Sequence, residues 1–181
     1  MKIIAIADTH GNHRNLGDLP DGDVLVHAGD WTKFGAGQGD FLVWFKDQPF
    51  DHRILILGNH EYMLGSDVQR QQLESNLDQR HGIDYIGLSP VEVDGIWFGS
   101  DAGRDVDVLV THQPPWGVLD EDGGGSKNIR DLCHAVQPNV HIFGHIHQAY
   151  GRTTRRDTTF VNCALADPDY NPVNAPAVID L

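Results

Sequence analysis

The chain has 181 residues, a length that suits one domain with room for a sizeable core. Apolar residues make up 40% and charged residues 22%, which excludes a disordered chain, and no apolar run approaches the length of a membrane span. The net charge of −13 repels phosphate backbones and excludes extended binding to duplex nucleic acid, although bound cations would reverse the field locally and admit a small anion. Cys133 and Cys163 are too few for a disulfide framework and read as two core thiols. The N-terminal apolar stretch is too short for a signal peptide and stops at Asp8, which sets the expectation of a cytoplasmic protein.

In chain order, Ile3 to Ala7 is a short β-rich run followed by Asp8-Thr9-His10-Gly11. Val24 to Ala28 is a second, followed by Gly29-Asp30. A helix is expected within Gln38 to Gln48, stopped by Pro49. Ile54 to Leu57 is the third run, followed by Gly58-Asn59-His60-Glu61, which taken alone also fits a strand-to-helix turn with Asn59 as its cap. A second helix starts from Ser66 as N-cap, carries Val68, Leu73 and Leu77, and closes at His81-Gly82. Asp94-Gly95 between Val91–Val93 and Ile96–Phe98 signals a hairpin. Val108 to Val110 is the fourth apolar run, followed by Thr111-His112. Gly123-Gly124-Gly125 reads as a flexible loop before a third helix, Lys127 to Val136, capped by Ser126. Val140 to Phe143 is the fifth run, followed by Gly144-His145-Ile146-His147, with both histidines pointing the same way on a strand. A hairpin from Gln148 to Asn162, turning near Arg155 to Asp157, and a last strand from Ala177 to Leu181 complete an α/β chain.

Continuous apolar runs of this length suit strands buried on both faces. In open α/β sheets, ligands bind beyond the carboxyl ends of such strands. Five polar clusters follow five runs and supply Asp8, His10, Asp30, Asn59, His112, His145 and His147. Seven N/O ligands with no thiolate suit hard-to-borderline divalent metals, with manganese favoured among iron, zinc, cobalt and nickel. Seven are too many for one tetrahedral site and fit two ions sharing a carboxylate. Two ions about 3.5–4 Å apart screen the charge of a phosphate ester, acidify a bridging water and orient the displacement. The departing alkoxide then needs a proton donor, and His60, next to Asn59, is the candidate, with Glu61 tuning or orienting it. His13, His52, His81, His134 and His141 read as ordinary surface or core histidines, and His27 as a core histidine within its strand. Asn12, His13, Arg14 and Trp116 stand near these clusters but read equally well as local structure.

Asp8-Thr-His10, Gly29-Asp30, Gly58-Asn59-His60-Glu61, Thr111-His112 and Gly144-His145-Ile-His147 resemble, in order, the five motifs of the calcineurin-like metallophosphoesterase superfamily. The resemblance implies a four-layer αββα sandwich of two mixed β-sheets flanked by helices, as a single domain over residues 1–181. It implies one metal on Asp8, His10 and His147, another on Asn59, His112 and His145, with Asp30 bridging and His60 at the leaving group. Thr111-His112-Gln113-Pro114-Pro115, Phe143 to His147 and Asn171-Pro172-Val173-Asn174-Ala175-Pro176 are similar to the subgroup described as class III cyclic nucleotide phosphodiesterases. This implies hydrolysis of small phosphodiesters, cyclic nucleotides included, by a metal-bridging hydroxide. A phosphomonoesterase or nuclease on the same site, and a silent metal-binding scaffold, are the alternatives. The stretch from Gly99 to Asp105 is short, implying an open site, and Trp31-Thr32-Lys33 replaces the Asp-Arg-Gly sequence of protein phosphatases, which argues against a phosphoprotein substrate. The partner expected is a small phosphoester such as a nucleotide; the sequence is silent on oligomeric state.

Overall fold

The computed structural model describes residues 1–63, 67–78, 82–87, 89–101 and 105–181. Ser66 as a helix cap, the side chain of Val68 and the role given to His81 lie outside the described residues, as does the middle of the short 99–105 stretch.

The first sheet holds β1 (Lys2–Ile6), β2 (Val24–His27), β3 (His52–Leu55), β4 (Asp84–Tyr85) and β11 (Ala177–Asp180) in the order β11-β1-β2-β3-β4. β1 to β4 run parallel, and β11 closes the edge antiparallel to β1. The second sheet holds β5 (Val91–Val93), β6 (Ile96–Gly99), β7 (Val108–Val110), β8 (Val140–Phe143), β9 (Gly151–Arg155) and β10 (Thr158–Asn162) in the order β5-β6-β7-β8-β10-β9. Here β6, β7, β8 and β10 are parallel, while β5 and β9 are antiparallel hairpin partners. The chain is thus α/β with two mixed sheets.

Alternation along each strand explains the layers. Ile3 and Ala5 of β1 meet Val108, Val110, Val140 and Ile142 of the other sheet, whereas Ile4 and Ile6 face α1 (Gln38–Lys46) and α3 (Asp67–Asp78) through Phe41, Phe45, Leu73 and Leu77. On the far side, Leu109, Phe143 and Phe160 pack with Cys133 of α4 (Lys127–Val136). Strands apolar on both faces therefore need a layer on each side. Each fully buried Ile or Leu contributes about 1.5–3 kcal/mol.

Most predicted elements match within a residue or two. α4 begins as expected, with Ser126 Oγ accepting from the Ile129 amide at 3.3 Å. Asp94 (φ 49°) and Gly95 (φ 84°) make the tight turn between β5 and β6. Three expectations are corrected. The short helix α2 (Asn59–Tyr62) is capped at Gly58, and Asn59 is its first residue, so its side chain is free to face the site. His145 and His147 are not on a strand: β8 ends at Phe143, His145 takes a left-handed conformation (φ 69°), and His147 opens a 3-10 turn. The glycine triad lies in a hydrogen-bonded turn rather than a flexible loop, because buried Asp120 accepts from the Gly117 and Gly125 amides at 2.7 and 3.3 Å. Cys133 and Cys163 are buried free thiols. Among the described residues no helix is long and apolar enough to cross a membrane.

Candidate metal centre

The two sheets are stitched together where their strands end. The Ala7 amide donates to the Cys163 carbonyl at 3.0 Å and the Leu165 amide to the Ala7 carbonyl at 3.0 Å. The loops after β1, β2, β3, β7 and β8 consequently emerge side by side. Asp8, His10, Asp30 and His145 all have positive φ, at 56°, 44°, 56° and 69°. Left-handed backbone at non-glycine residues costs on the order of 1 kcal/mol or more each and persists where surrounding structure enforces it. Glycines leave room for the close approaches that go with it. A Cβ on Gly58 would collide with Asp30, and one on Gly144 with Asp8.

Asp8, His10 and His147 form one group whose ligand atoms lie within 4.8 Å of one another, and Asp30, His112 and His145 form a second. Asn59 joins the second, its Oδ1 3.0 Å from His112 Nε2. Asp30 also groups with His10 and His60, so its carboxylate stands between the two clusters. All seven predicted ligands therefore meet at one place, with His60 against them.

The pattern of lone pairs shows what would fit there. His112 Nδ1 donates to the Ala28 carbonyl at 2.9 Å, which leaves Nε2 of the neutral ring bare. That nitrogen faces Asn59 Oδ1 at 3.0 Å, Asp30 Oδ2 at 3.2 Å and His145 Nδ1 at 3.2 Å. In the other cluster, His147 Nδ1 donates to the Asp167 carbonyl at 2.8 Å, so its Nε2 is bare and lies 3.2 Å from His10 Nε2 and 3.5 Å from Asp8 Oδ1. Asp8 Oδ1 is buried and has no hydrogen-bond partner among the described residues. Acceptors converge in both clusters, and a buried unpaired carboxylate oxygen is costly unless a cation meets it. Divalent ions fit both.

The same crowding shifts the titrating groups. Burial disfavours protonation of His112, but Asp30 at 3.2 Å overrides it and raises the pKa to about 9, so a proton stands in where a cation would bind. Burial lowers His10 to about 4, with Asp8 and Asp30 only partly offsetting it. Burial opposes ionisation of Asp30, yet His112 and the His60 amide, which donates to Oδ1 at 2.8 Å, hold it down at about 2. Glu61 is fully buried and pushed up to about 7, by burial first and by Asp30 second.

Several supporting roles go beyond the sequence reading, in which Glu61 tunes or orients His60. Glu61 accepts from the amides of Gly58, Asp30 and Thr32 and from the Thr32 hydroxyl at 2.7–2.9 Å, and so ties the β2 loop to the β3 loop. Phe34 stacks on His60 at 4.5 Å, and the Tyr170 ring meets His10 edge-on at 4.5 Å. Tyr170 directly precedes the Asn171–Pro176 tail, which was the available signal. His27 of β2 and His141 of β8, read as ordinary core histidines, are both fully buried and each meets a threonine hydroxyl. His27 Nε2 lies 3.0 Å from the hydroxyl of Thr9, and His141 Nε2 lies 2.9 Å from that of Thr111. By contrast, His13 and Arg14 are both engaged by Asp40, at 3.0 and 2.6 Å, and are not presented to the site.

A family model described as calcineurin-like phosphoesterase matches residues 1–149. The chain belongs to the calcineurin-like phosphoesterase family. Its relatives include the UPF0046 protein K07C11.7 of Caenorhabditis elegans, 32% identical over 91% of this chain and 69% of the relative. Metallophosphoesterase domain-containing protein 1 of Homo sapiens is 29% identical over 99% of this chain and 71% of the relative. Two solved structures share the fold: the protein of unknown function AQ665 from Aquifex aeolicus (20% identity, 98% and 95% of the two chains, TM-score 0.52) and Vacuolar Protein Sorting 29 from Cryptosporidium parvum (12% identity, 98% and 82%, TM-score 0.53). This calcineurin-like chain thus pairs the family's phosphoesterase scaffold with candidate clusters for divalent metals.

Proposed function

We propose that the protein is a dinuclear metal-dependent phosphodiesterase that hydrolyses small phosphodiesters, cyclic nucleotides among them, as a single domain spanning residues 1–181. The observation that carries this reading is the adjacency of two acceptor-rich clusters around one carboxylate, Asp30. In it, Asp8, His10 and His147 would hold one cation, Asn59, His112 and His145 the other, and Asp30 would serve both. Two divalent ions, manganese first among candidates, would supply charge neutralisation of the phosphate and acidification of a bound water.

The remaining work falls to the chain's own groups. Asp30 is positioned from behind by the His60 amide and by Glu61, which grips the Asp30 amide at 2.9 Å. His60 Nε2 lies 3.8 Å from Asp30 Oδ2, so its ring borders the reacting phosphate and can protonate the departing oxygen. A 390 Å3 cavity shares Asn59 and His112 with the centre and continues over Leu57, Tyr62, Tyr85 and Leu132. It gives room for a substituent that inorganic phosphate lacks, which favours esters with an apolar or aromatic group. The net charge of −13 favours small substrates over an extended nucleic-acid track. Buried free thiols fit a reducing cytoplasm.

The test is a substrate panel on manganese-loaded protein: bis-p-nitrophenyl phosphate, p-nitrophenyl phosphate, 2′,3′-cyclic AMP and 3′,5′-cyclic AMP. Diester turnover well above monoester turnover is expected. Monoester preference would move the function to a phosphatase, and no turnover with two metals bound would make it a metal-binding scaffold.

A further inference from the structure

A second cavity of 550 Å3 lies on the other side of α4, lined in part by Trp116, Arg130, His134, Arg155, Arg156 and Phe160. None of the metal-centre residues line it. Arg155 and Arg156 sit at the turn between β9 and β10. Since β10 runs parallel to β8, that turn lies at the opposite end of the sheet from His145 and His147.

Its electrostatics run against the rest of the molecule. The chain carries 26 acidic and 13 basic residues, yet Arg130, Arg155 and Arg156 line this cavity with Asp157 as the acid among the lining residues, Lys127 stands by Trp116, and Asp120 is turned onto the Gly117 amide at 2.7 Å. Asp131 pairs with Arg130 at 2.7 Å. Among the described residues, Arg155 and Arg156 have no ion-pair or side-chain hydrogen-bond partner, and Arg156 adopts a left-handed backbone (φ 53°). Like charges held together beside a low-dielectric wall raise the energy of the free protein and lower it when an anion enters. Paired guanidinium groups match phosphate oxygens.

The aromatic wall is equally specific. Trp116 is 43% exposed, with Arg130 and Lys127 at 5.5 and 5.8 Å from its ring centroid. Both cations lie over the indole, so a planar base would meet the exposed remainder of the ring with positive charge already against it, a combination suited to a base next to its phosphate. The volume falls within the range of small-ligand pockets.

We propose that this cavity is a second ligand site, remote from the metal centre, which takes a nucleoside monophosphate: phosphate on Arg155 and Arg156, base against Trp116. The inference is independent of the hydrolytic reading, because it uses none of the metal-centre residues.

The experiment is equilibrium dialysis of metal-loaded protein with AMP, adenosine and inorganic phosphate. It uses the wild type, the double variant Arg155→Ala/Arg156→Ala, and Trp116→Leu. The substituted side chains lie at the cavity, so turnover of bis-p-nitrophenyl phosphate without AMP should match wild type in both variants. AMP binding is expected in the wild type and weakened about tenfold or more in each variant. Undetectable AMP binding, or AMP affinity unchanged in both variants, would overturn the site. Inorganic phosphate binding as tightly as AMP would overturn the role of Trp116, and adenosine binding as tightly would overturn that of the arginines.

Discussion

Replacing His141 with phenylalanine should make the protein slightly less stable at neutral pH and more stable in acid. Thr111 gives its hydroxyl proton to the Gln113 carbonyl at 2.7 Å and therefore accepts from His141 Nε2 at 2.9 Å. The other ring nitrogen, Nδ1, is buried without a partner among the described residues. Burial drives the His141 pKa down from 6.5 to about 3. A histidine whose folded pKa lies below its unfolded value contributes stability that is present above 6.5 and lost as pH falls toward 3. At about 1.36 kcal/mol per unit, the wild type loses about 3 kcal/mol between neutrality and pH 4 from this residue alone. Phenylalanine fits the slot, which already lies 5.0 and 5.8 Å from the Phe143 and Phe160 rings. It gives up one hydrogen bond, about 1 kcal/mol. The stability curves should then cross between about pH 5 and 6, with the variant ahead by about 2 kcal/mol at pH 4. Urea unfolding of both proteins at pH 7.5, 5.5 and 4 measures this. Every other acid-labile group is common to the pair, so the difference isolates His141. Parallel curves, offset by a constant amount, would refute the buried neutral imidazole.

Glu61→Gln keeps one acceptor oxygen but turns an amide group toward other donors; with the Thr32 contacts retained, the Asp30 and Gly58 amides lose their acceptor. Two buried donors left unmet should cost roughly 2–5 kcal/mol in urea unfolding and lower metal affinity through Asp30; a wild-type unfolding midpoint would show that Glu61 does not hold these loops together. Asp30→Ala should abolish turnover and reduce bound metal measured by elemental analysis, since its carboxylate lies between both clusters; unchanged stoichiometry would contradict a shared ligand. His60→Ala should retain both metals while turnover of an ester with a poor leaving group falls by about 10²–10⁴-fold. Normal turnover there would remove His60 from proton transfer.

The layout of the sheets was legible because each strand announces itself by a short apolar run and an abrupt polar stop. Five such stops placed Asp8, Asp30, Asn59, His112 and His145 at strand ends, and parallel pairing within each sheet brings those ends to one edge. What the sequence concealed depends on contacts between distant segments. Glu61 looked like a neighbour of His60, yet its partners are mostly residues some thirty positions earlier. His147 was read on a strand because alternate spacing mimics one, whereas the positive φ of His145 turns the chain. Tyr170 reaches the His10 ring from the far end of the chain, and its place just before the Asn171–Pro176 tail does not say which segment it meets.

The two sheets also solve one problem twice. In each, a threonine in the loop after a strand stands next to a candidate metal-binding histidine: Thr9, three residues past β1, before His10, and Thr111, directly after β7, before His112. In each, the adjacent parallel strand carries a buried histidine, His27 or His141, against that threonine's hydroxyl. Neither buried ring has a partner for Nδ1 among the described residues. An apolar residue in either place would avoid that desolvation cost, so its retention asks for a compensating gain. That gain is positional. The hydroxyl is fixed from the side, and the next residue's ring starts from a fixed backbone. His112 must keep Nδ1 on the Ala28 carbonyl while Nε2 faces Asp30, and a hydroxyl anchored one residue earlier restricts the swing that would break both contacts.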